Sequence, residues 1–297
     1  MIADPSDSNS VYIFAVNHAP NTEYYSKVKQ GVQPGPEVPK AASRIELFHH
    51  TLGTQRLRHL RTVQDPLIAT PNDVYAESPT SFFVSNDHRH REGLWRLFEA
   101  TFNAEWSDIV HVQLDDDSKV HAKVALDGIS YPNGLGHGRK TDDGKDEIMF
   151  VKTTSATLSF LHADPTNHTI RVEETVEVPT QIDQPYYYSD PLATGPDDDA
   201  SGYVVAGLAR AFDVFLNSRN PHGKEGAMVW YLQRTSDGWK QPRLLFEDDG
   251  TNIRGASSAV LVPIVSSDGK KKKDDKEAWL FVSGFFSEAI VAVRVKL

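Results

Sequence analysis

The sequence predicts an all-β chain, and three observations carry that expectation. About fifteen short apolar or alternating runs recur along it, each the length of a strand. Gly, Asp, Asn and Pro separate most of them. One stretch only, Arg91–Asn103, spaces its apolar residues as a helix does. Many short strands with turn signals between them indicate a sandwich, a barrel or a propeller, and an all-β chain of 297 residues fits one large unit.

In chain order the strand runs are Val11–Val16, Ile45–Phe48, Phe82–Ser85, Ile109–Gln113, Val120–Ala125 and Ile148–Lys152, followed by Ala156–Leu161, Thr169–Glu173, Tyr203–Gly207 and Phe212–Leu216. Met228–Leu232, Leu244–Phe246, Ala259–Val265, Trp279–Ser283 and Ala289–Val295 complete them. At four strands per blade these make about four propeller blades. In the helical stretch Leu94, Leu97, Phe98 and Phe102 form the stripe, with Glu92, Arg96 and Glu99 off it. Lys27–Lys40 and Asp190–Gly202 read as loops from their Gly, Pro and Asp content. Ser266–Lys276, with Lys270–Lys273 flanked by acids, reads as a solvated hairpin tip.

Thirty-one basic against 41 acidic side chains leave a net charge of −10, which argues against nucleic acid as a general partner. The absence of cysteine excludes disulfides and thiol chemistry. Residues 1–10 are polar and lack the apolar core of a signal peptide, and no apolar run is long enough to span a bilayer. Asn167-His168-Thr169 is a glycosylation sequon, which matters only on a secretory route.

The chemistry-bearing residues are acid–amide clusters: Asn72-Asp73, Asn86-Asp87-His88, and Asn133-Gly134 in an expected loop. Oxygen donors gathered at strand ends suit a hard cation such as Ca²⁺. An ion held by neutral amides and few carboxylates keeps the charge to polarise a carbonyl or phosphoryl oxygen. The same residues also cap ordinary turns. His49-His50 and His88/His90 raise zinc, but no cysteine and no H-E-x-x-H spacing supports it. No G-x-S-x-G elbow, Walker A loop or dinucleotide glycine pattern occurs.

Tyr12–Pro20 (YIFAVNHAP), Pro71–Val74 (PNDV), Ser81–His88 (SFFVSNDH), Pro132–Leu135 (PNGL) and Ile182–Pro185 (IDQP) follow one another in an order that resembles the serum paraoxonase/arylesterase family. The likeness is dense from Val11 to Gly134, sparser over Gln181–Leu216, and returns over Arg254–Leu297. The resemblance implies a six-bladed β-propeller, here N-terminally truncated to four to five blades, as a single incomplete domain over residues 1–297. It implies a calcium-dependent hydrolase of aryl esters and lactones, and of phosphotriesters, with one catalytic and one structural Ca²⁺. By that resemblance Asn72, Asn133 and Asp183 are ligands of the catalytic ion, and Gln184 stands where the family has Asn. Asp73 matches a ligand of the structural ion, is expected to be buried, and is expected to face away from Asn72 by strand alternation. His18 matches one of the family's two histidines proposed to activate water, and Asp87 and His88 match polar residues around that site. A lone histidine at a strand end is also commonly a structural residue.

The same resemblance implies a secreted or membrane-associated protein. It gives the helix near 91–103 the role of capping the active-site face; a helix packed at the sheet edge for stability is the other reading. The family's first calcium carboxylates and first catalytic histidine would fall before Met1, so impaired activity is expected of this chain. A non-catalytic binding propeller and a gluconolactonase-like lactonase are the rival functions.

Overall fold

A computed structural model describes residues 1–116, 119–141, 144, 146–217, 220–265 and 276–297. It is all-β with short helices. The strands in chain order are β1 (Ile2–Asp4), β2 (Asp7–Pro20), β3 (Ala41–Thr51), β4 (Leu57–Val63), β5 (Pro71–Ser78), β6 (Ser81–Asn86), β7 (Ser107–Leu114), β8 (Val120–Ile129), β9 (Pro132–Lys140), β10 (Asp146–Lys152) and β11 (Thr157–Ala163). They continue with β12 (Ile170–Glu177), β13 (Ile182–Tyr188), β14 (Gly202–Leu208), β15 (Ala227–Leu232), β16 (Arg234–Thr235), β17 (Gly238–Trp239), β18 (Arg243–Asp248), β19 (Ala256–Pro263), β20 (Glu277–Gly284) and β21 (Val291–Lys296). The α-helices are α1 (Thr22–Lys29), α2 (Leu94–Phe102) and α3 (Ala211–Asn217). Four sheets have four strands each, in orders β1-β2-β3-β4, β5-β6-β7-β8, β12-β11-β10-β9 and β13-β14-β15-β18; β19-β20-β21 is three-stranded and β16-β17 a small ribbon.

The chain divides into two compact units, residues 1–135 with 162–171, and residues 136–161 with 172–297. In the first, β1–β4 and β5–β8 bury a shared core of Ile45, Leu47, Val63, Phe82, Val84 and Val110, among others. All six residues of β6 are buried, so its run reads as continuously apolar. The long antiparallel pairing of β2 with β3 sets His18 opposite Ser43. In the second unit, β13–β15 and β19–β20 enclose Tyr188, Val204, Val229, Ile253, Leu261 and Leu280. A further core joins Met149, Val151, Leu158 and Phe160 to Val205 and Leu232.

Several expectations need correcting. The chain has three α-helices among the described residues, where one was expected. The helix expected over 91–103 starts only at Leu94, because Gly93 at φ +87 breaks the backbone into a conformation that glycine tolerates best. Phe212–Leu216, expected as a strand, is helix α3. Its four aromatic and aliphatic positions suit either state, and so short a run cannot be decided by periodicity. Helix α1 buries none of its residues and leaves no apolar stripe to read. Asn133-Gly134 lies in strand β9, not in a loop. The basic run Lys270–Lys273 lies outside the described residues. No described helix is long and apolar enough to cross a membrane.

Candidate functional site

The acid–amide residues recur at one position of successive sheets. β5, β9 and β13 each begin a four-stranded sheet, and Asn72, Asn133 and Asp183 are each the second residue of their strand. Irregular pairing accompanies two of them. Pro71 pairs with Asn86 and Asp73 with Ser85, so Asn72 is the extra residue of a bulge. Ile182 pairs with Gly207 and Pro185 with Val205, so Asp183 and Gln184 also lie in a register shift. Bulges re-aim side chains and are over-represented beside active sites. Gly207 makes the second one feasible, because a Cβ there would come within 2.0 Å of the Gln181 carbonyl oxygen. β19 carries the same irregularity between Ala256 and Ser258, which sets Ser257 in the matching place. No motif in the sequence singles out Ser257.

In the first unit, Asp73 and Asn133 are tied together. Asp73 Oδ1 accepts from the Val74 amide at 2.7 Å and Oδ2 from the Leu135 amide at 2.8 Å. Ser85 Oγ accepts from the Asp73 amide at 3.1 Å and donates to the Asn133 carbonyl at 2.7 Å. Asn133 is 7% exposed, with its side-chain oxygen buried, and follows Tyr131 at φ +42. Asp73 is only half-buried, against the expectation of full burial. It sits at the strand entrance, where two backbone amides already solvate its charge. The bulge at Asn72 also interrupts the strict alternation from which opposite facing was expected. Asn72 is half-buried in this unit; Asp183 and Gln184 are half-buried in the second.

His18 and Asp87 line one cleft of about 230 Å³, with Ser43, Thr70, Arg91 and Arg96. His18 is exposed, its Nδ1 2.9 Å from Ser43 Oγ. Asp87 Oδ1 lies 3.0 Å from His88 Nδ1, and Oδ2 lies 3.4 Å from Arg96 Nη2. His88 is 3% exposed, edge-on to Tyr131 with ring centroids 4.7 Å apart. Thr70 Oγ1 fixes its backbone, accepting from the His88 amide and donating to its carbonyl. Asn86 is a scaffold: its oxygen accepts from the Ala69 and Thr70 amides, and its nitrogen donates to the Leu67 carbonyl and to Asp108. Burial raises the Asp108 pKa, and Asn86 pulls it back.

Helix α2 contributes to the cleft as well as to stability. Arg96 reaches Asp87 from it, and buried Glu99 accepts from the Arg89 and His90 amides at 2.7 and 2.9 Å. Its apolar residues remain outside: Leu94 is 84% exposed and Trp95 60%. Leu94, Leu97, Phe98 and Phe102, the stripe read from the sequence, are all exposed. Arg91 and Arg96 were not expected in the site; their cationic side chains beside an acid–histidine pair were the available signal.

The strand carrying His18 is anchored by Glu46, which is largely buried. Glu46 accepts from Thr62 Oγ1 at 2.6 Å, His59 Nε2 at 2.9 Å and Asn17 Nδ2 at 3.0 Å, and Arg44 Nε lies 2.8 Å away. The Thr62 hydroxyl foremost, then His59, Asn17 and Arg44, hold its pKa down at about 2 against burial, below the ordinary 4.5. A carboxylate so depressed contributes stability that is full above its unfolded value and is lost as pH falls through its folded value. Thermal stability should therefore decline between pH 4.5 and about 2. The decline should be shallower in Glu46→Gln, as melting curves across that range would show.

One group was not foreseen at all. Among the described residues, Glu77, His111 and His168 bring three ligand atoms within 4.8 Å of one another, all in the first unit. Burial, and then the neighbouring His111, lower the His168 pKa. Glu77 is lowered by hydrogen bonds from His111 and Ser81 although burial opposes the shift.

A family profile described as arylesterase matches residues 37–261. Serum paraoxonase/arylesterase 1 of Rattus norvegicus is 25% identical over 255 residues, 86% of this chain and 60% of the relative. Serum paraoxonase/lactonase 3 of the same species is 22% identical over 251 residues, 84% of this chain and 59% of the relative. The chain thus spans about 60% of the length of these curated relatives. Among solved structures, a putative 6-phosphogluconolactonase from Bacteroides uniformis aligns with 9% identity and a TM-score of 0.44, covering all of this chain and 84% of the other. A periplasmic gluconolactonase from Pseudomonas aeruginosa aligns with 11% identity and a TM-score of 0.37, with the same coverage.

Proposed function

Since this chain belongs to the arylesterase family, we propose that it is a calcium-dependent hydrolase of aryl esters and lactones. The observation that carries the reading is the repeated placement of Asn72, Asn133 and Asp183 as the second residue of a sheet's first strand. Amide and carboxylate oxygens at strand starts, two of them at register shifts and a third buried, are a donor set that fits a hard cation. Asn72, Asn133 and Asp183 would hold the catalytic Ca²⁺, with Gln184 supplying a longer-armed amide, and Asp73 would hold a structural Ca²⁺. When bound, the catalytic ion supplies Lewis acidity toward the substrate carbonyl oxygen. The succession of antiparallel meanders supports reading the sheets as blades of β-propeller type.

The chain's own groups do the proton work. With Nδ1–H donated to Ser43 Oγ, His18 keeps a lone pair on Nε2 and can take a proton from water at the cleft. Asp87 and His88 form a carboxylate–imidazole pair at its wall, and Arg91 and Arg96 supply positive charge for the carboxylate product. The net charge of −10 suits neutral ester substrates better than polyanions.

The test is hydrolysis of phenyl acetate and δ-valerolactone by the purified chain in millimolar calcium and in chelator. Calcium-dependent turnover of both is expected. No turnover under either condition contradicts the proposal, and turnover that chelator leaves intact contradicts its metal dependence.

A further inference from the structure

We propose that Glu77, His111 and His168 form a further metal site, apart from both calcium positions, that takes a nitrogen-preferring divalent ion of the zinc class. This site is distinct in chemistry from the calcium ligands. Calcium takes oxygen shells, whereas two imidazoles and one carboxylate are the donor set of zinc. The three residues come from β5, β7 and the turn before β12, so no spacing in the sequence joins them.

The geometry is close to that of a coordination sphere. Glu77 Oε2 lies 3.7 Å from His111 Nε2 and 3.6 Å from His168 Nδ1. Tetrahedral zinc with bonds of 2.0–2.1 Å sets its ligands about 3.3 Å apart. The two rings stack with centroids 3.8 Å apart and planes 7° from parallel. Two imidazolium cations would repel in that stack, so at least one ring is neutral and offers a lone pair. His168 Nδ1 is buried and makes no hydrogen bond within the protein.

The surroundings look built. His111 is 2% exposed, and Ser81 Oγ lies 2.9 Å from its Nε2 and donates to Glu77 Oε2 at 2.8 Å. Ser81 Oγ thus shares the His111 nitrogen and the Glu77 oxygen that face the site, and an ion bound there would take its place on Nε2. His168 is held at φ +51, an uncommon conformation for a residue with a side chain. Its turn is fixed by its amide to the Asp164 carbonyl at 2.8 Å and by Lys123 Nζ to the Asn167 carbonyl. Parallel rings cannot both direct lone pairs at one ion, so binding tilts one of them. His168 is the ring free to tilt, since its side chain is 28% exposed while His111 is packed in. A bound ion would clamp the turn of residues 164–169 onto the β5–β8 sheet.

The experiment is calorimetric titration of the chelator-stripped full chain with ZnCl₂ in saturating calcium, beside His168→Ala, Glu77→Gln and Ser81→Ala. One zinc per chain is expected for the wild type, with a rise in melting temperature. His168→Ala and Glu77→Gln should bind more than about 100-fold weaker, and Ser81→Ala, which removes a competitor for His111 Nε2, no weaker than the wild type. The metal-free melting temperature of His168→Ala, a turn variant, checks that it folds. A wild-type chain that takes up no zinc overturns the proposal. So do folded His168→Ala and Glu77→Gln variants that bind zinc as the wild type does. Because calcium is saturating throughout, failure here leaves the calcium reading untouched, and the reverse also holds.

Discussion

Asp183→Asn is expected to lose most of its esterase activity at low calcium and to recover part of it as calcium is raised. The substitution keeps an oxygen donor and nearly the same shape, but it removes the one carboxylate among the proposed catalytic-calcium ligands of this chain. Calcium affinity is tuned by the charge and rigidity of its ligand set. Asn72 and Asn133 are neutral, so the half-saturating calcium concentration should rise on the order of 10- to 100-fold. Asp183→Ala should be worse, because the oxygen goes as well. Phenyl acetate hydrolysis measured against free calcium gives both numbers. An Asp183→Asn calcium curve that superimposes on the wild type would remove Asp183 from the metal site.

His18→Gln should show the opposite signature. Calcium affinity should stay at the wild-type value, while kcat/KM falls about 10²- to 10⁴-fold, the usual contribution of a general base. Glutamine can still meet Ser43 Oγ, so the cleft wall is preserved and the change isolates proton transfer. Ser43→Ala should cost less, because it only frees the ring that Ser43 orients. Its kcat/KM should fall modestly, with KM and calcium affinity unchanged. Full activity in His18→Gln would assign the base elsewhere, with the Asp87–His88 pair the next candidate.

The parts legible in the sequence were those with strong period and length. Phe82–Ser85 and Ile109–Gln113 became the buried centre of a sheet because both faces of those strands are largely covered, and the sequence shows this as adjacent apolar residues (Phe82-Phe83-Val84, Ile109-Val110) in place of strict alternation. The strand starts that carry Asn72, Asn133 and Asp183 were harder. Pro71, Pro132, Gly134 and Pro185 read as turn residues, yet they open strands, where proline and glycine are tolerated at first positions and bulges. Helix α3 was misread because four apolar residues within a five-residue run satisfy both periods. The cleft was half visible. His18 and Asp87 stood out by type, but Arg91 and Arg96 looked like the polar face of a helix until Gly93 separated one from the other. Glu77, His111 and His168 had no local signal, since their proximity arises from sheet pairing and a turn.

The most direct measurement of the central claim is a double-mutant cycle on calcium affinity, with Asn72→Ala, Asp183→Ala and the double variant titrated calorimetrically beside the wild type. If both side chains hold one ion, each single variant removes the same binding event, and the double variant binds no more weakly than the worse single one. Strong non-additivity is the expected result, as for groups that act as a unit. Independent, additive losses, or a wild-type chain in which Asp183→Ala leaves the tight calcium event intact, would contradict the account.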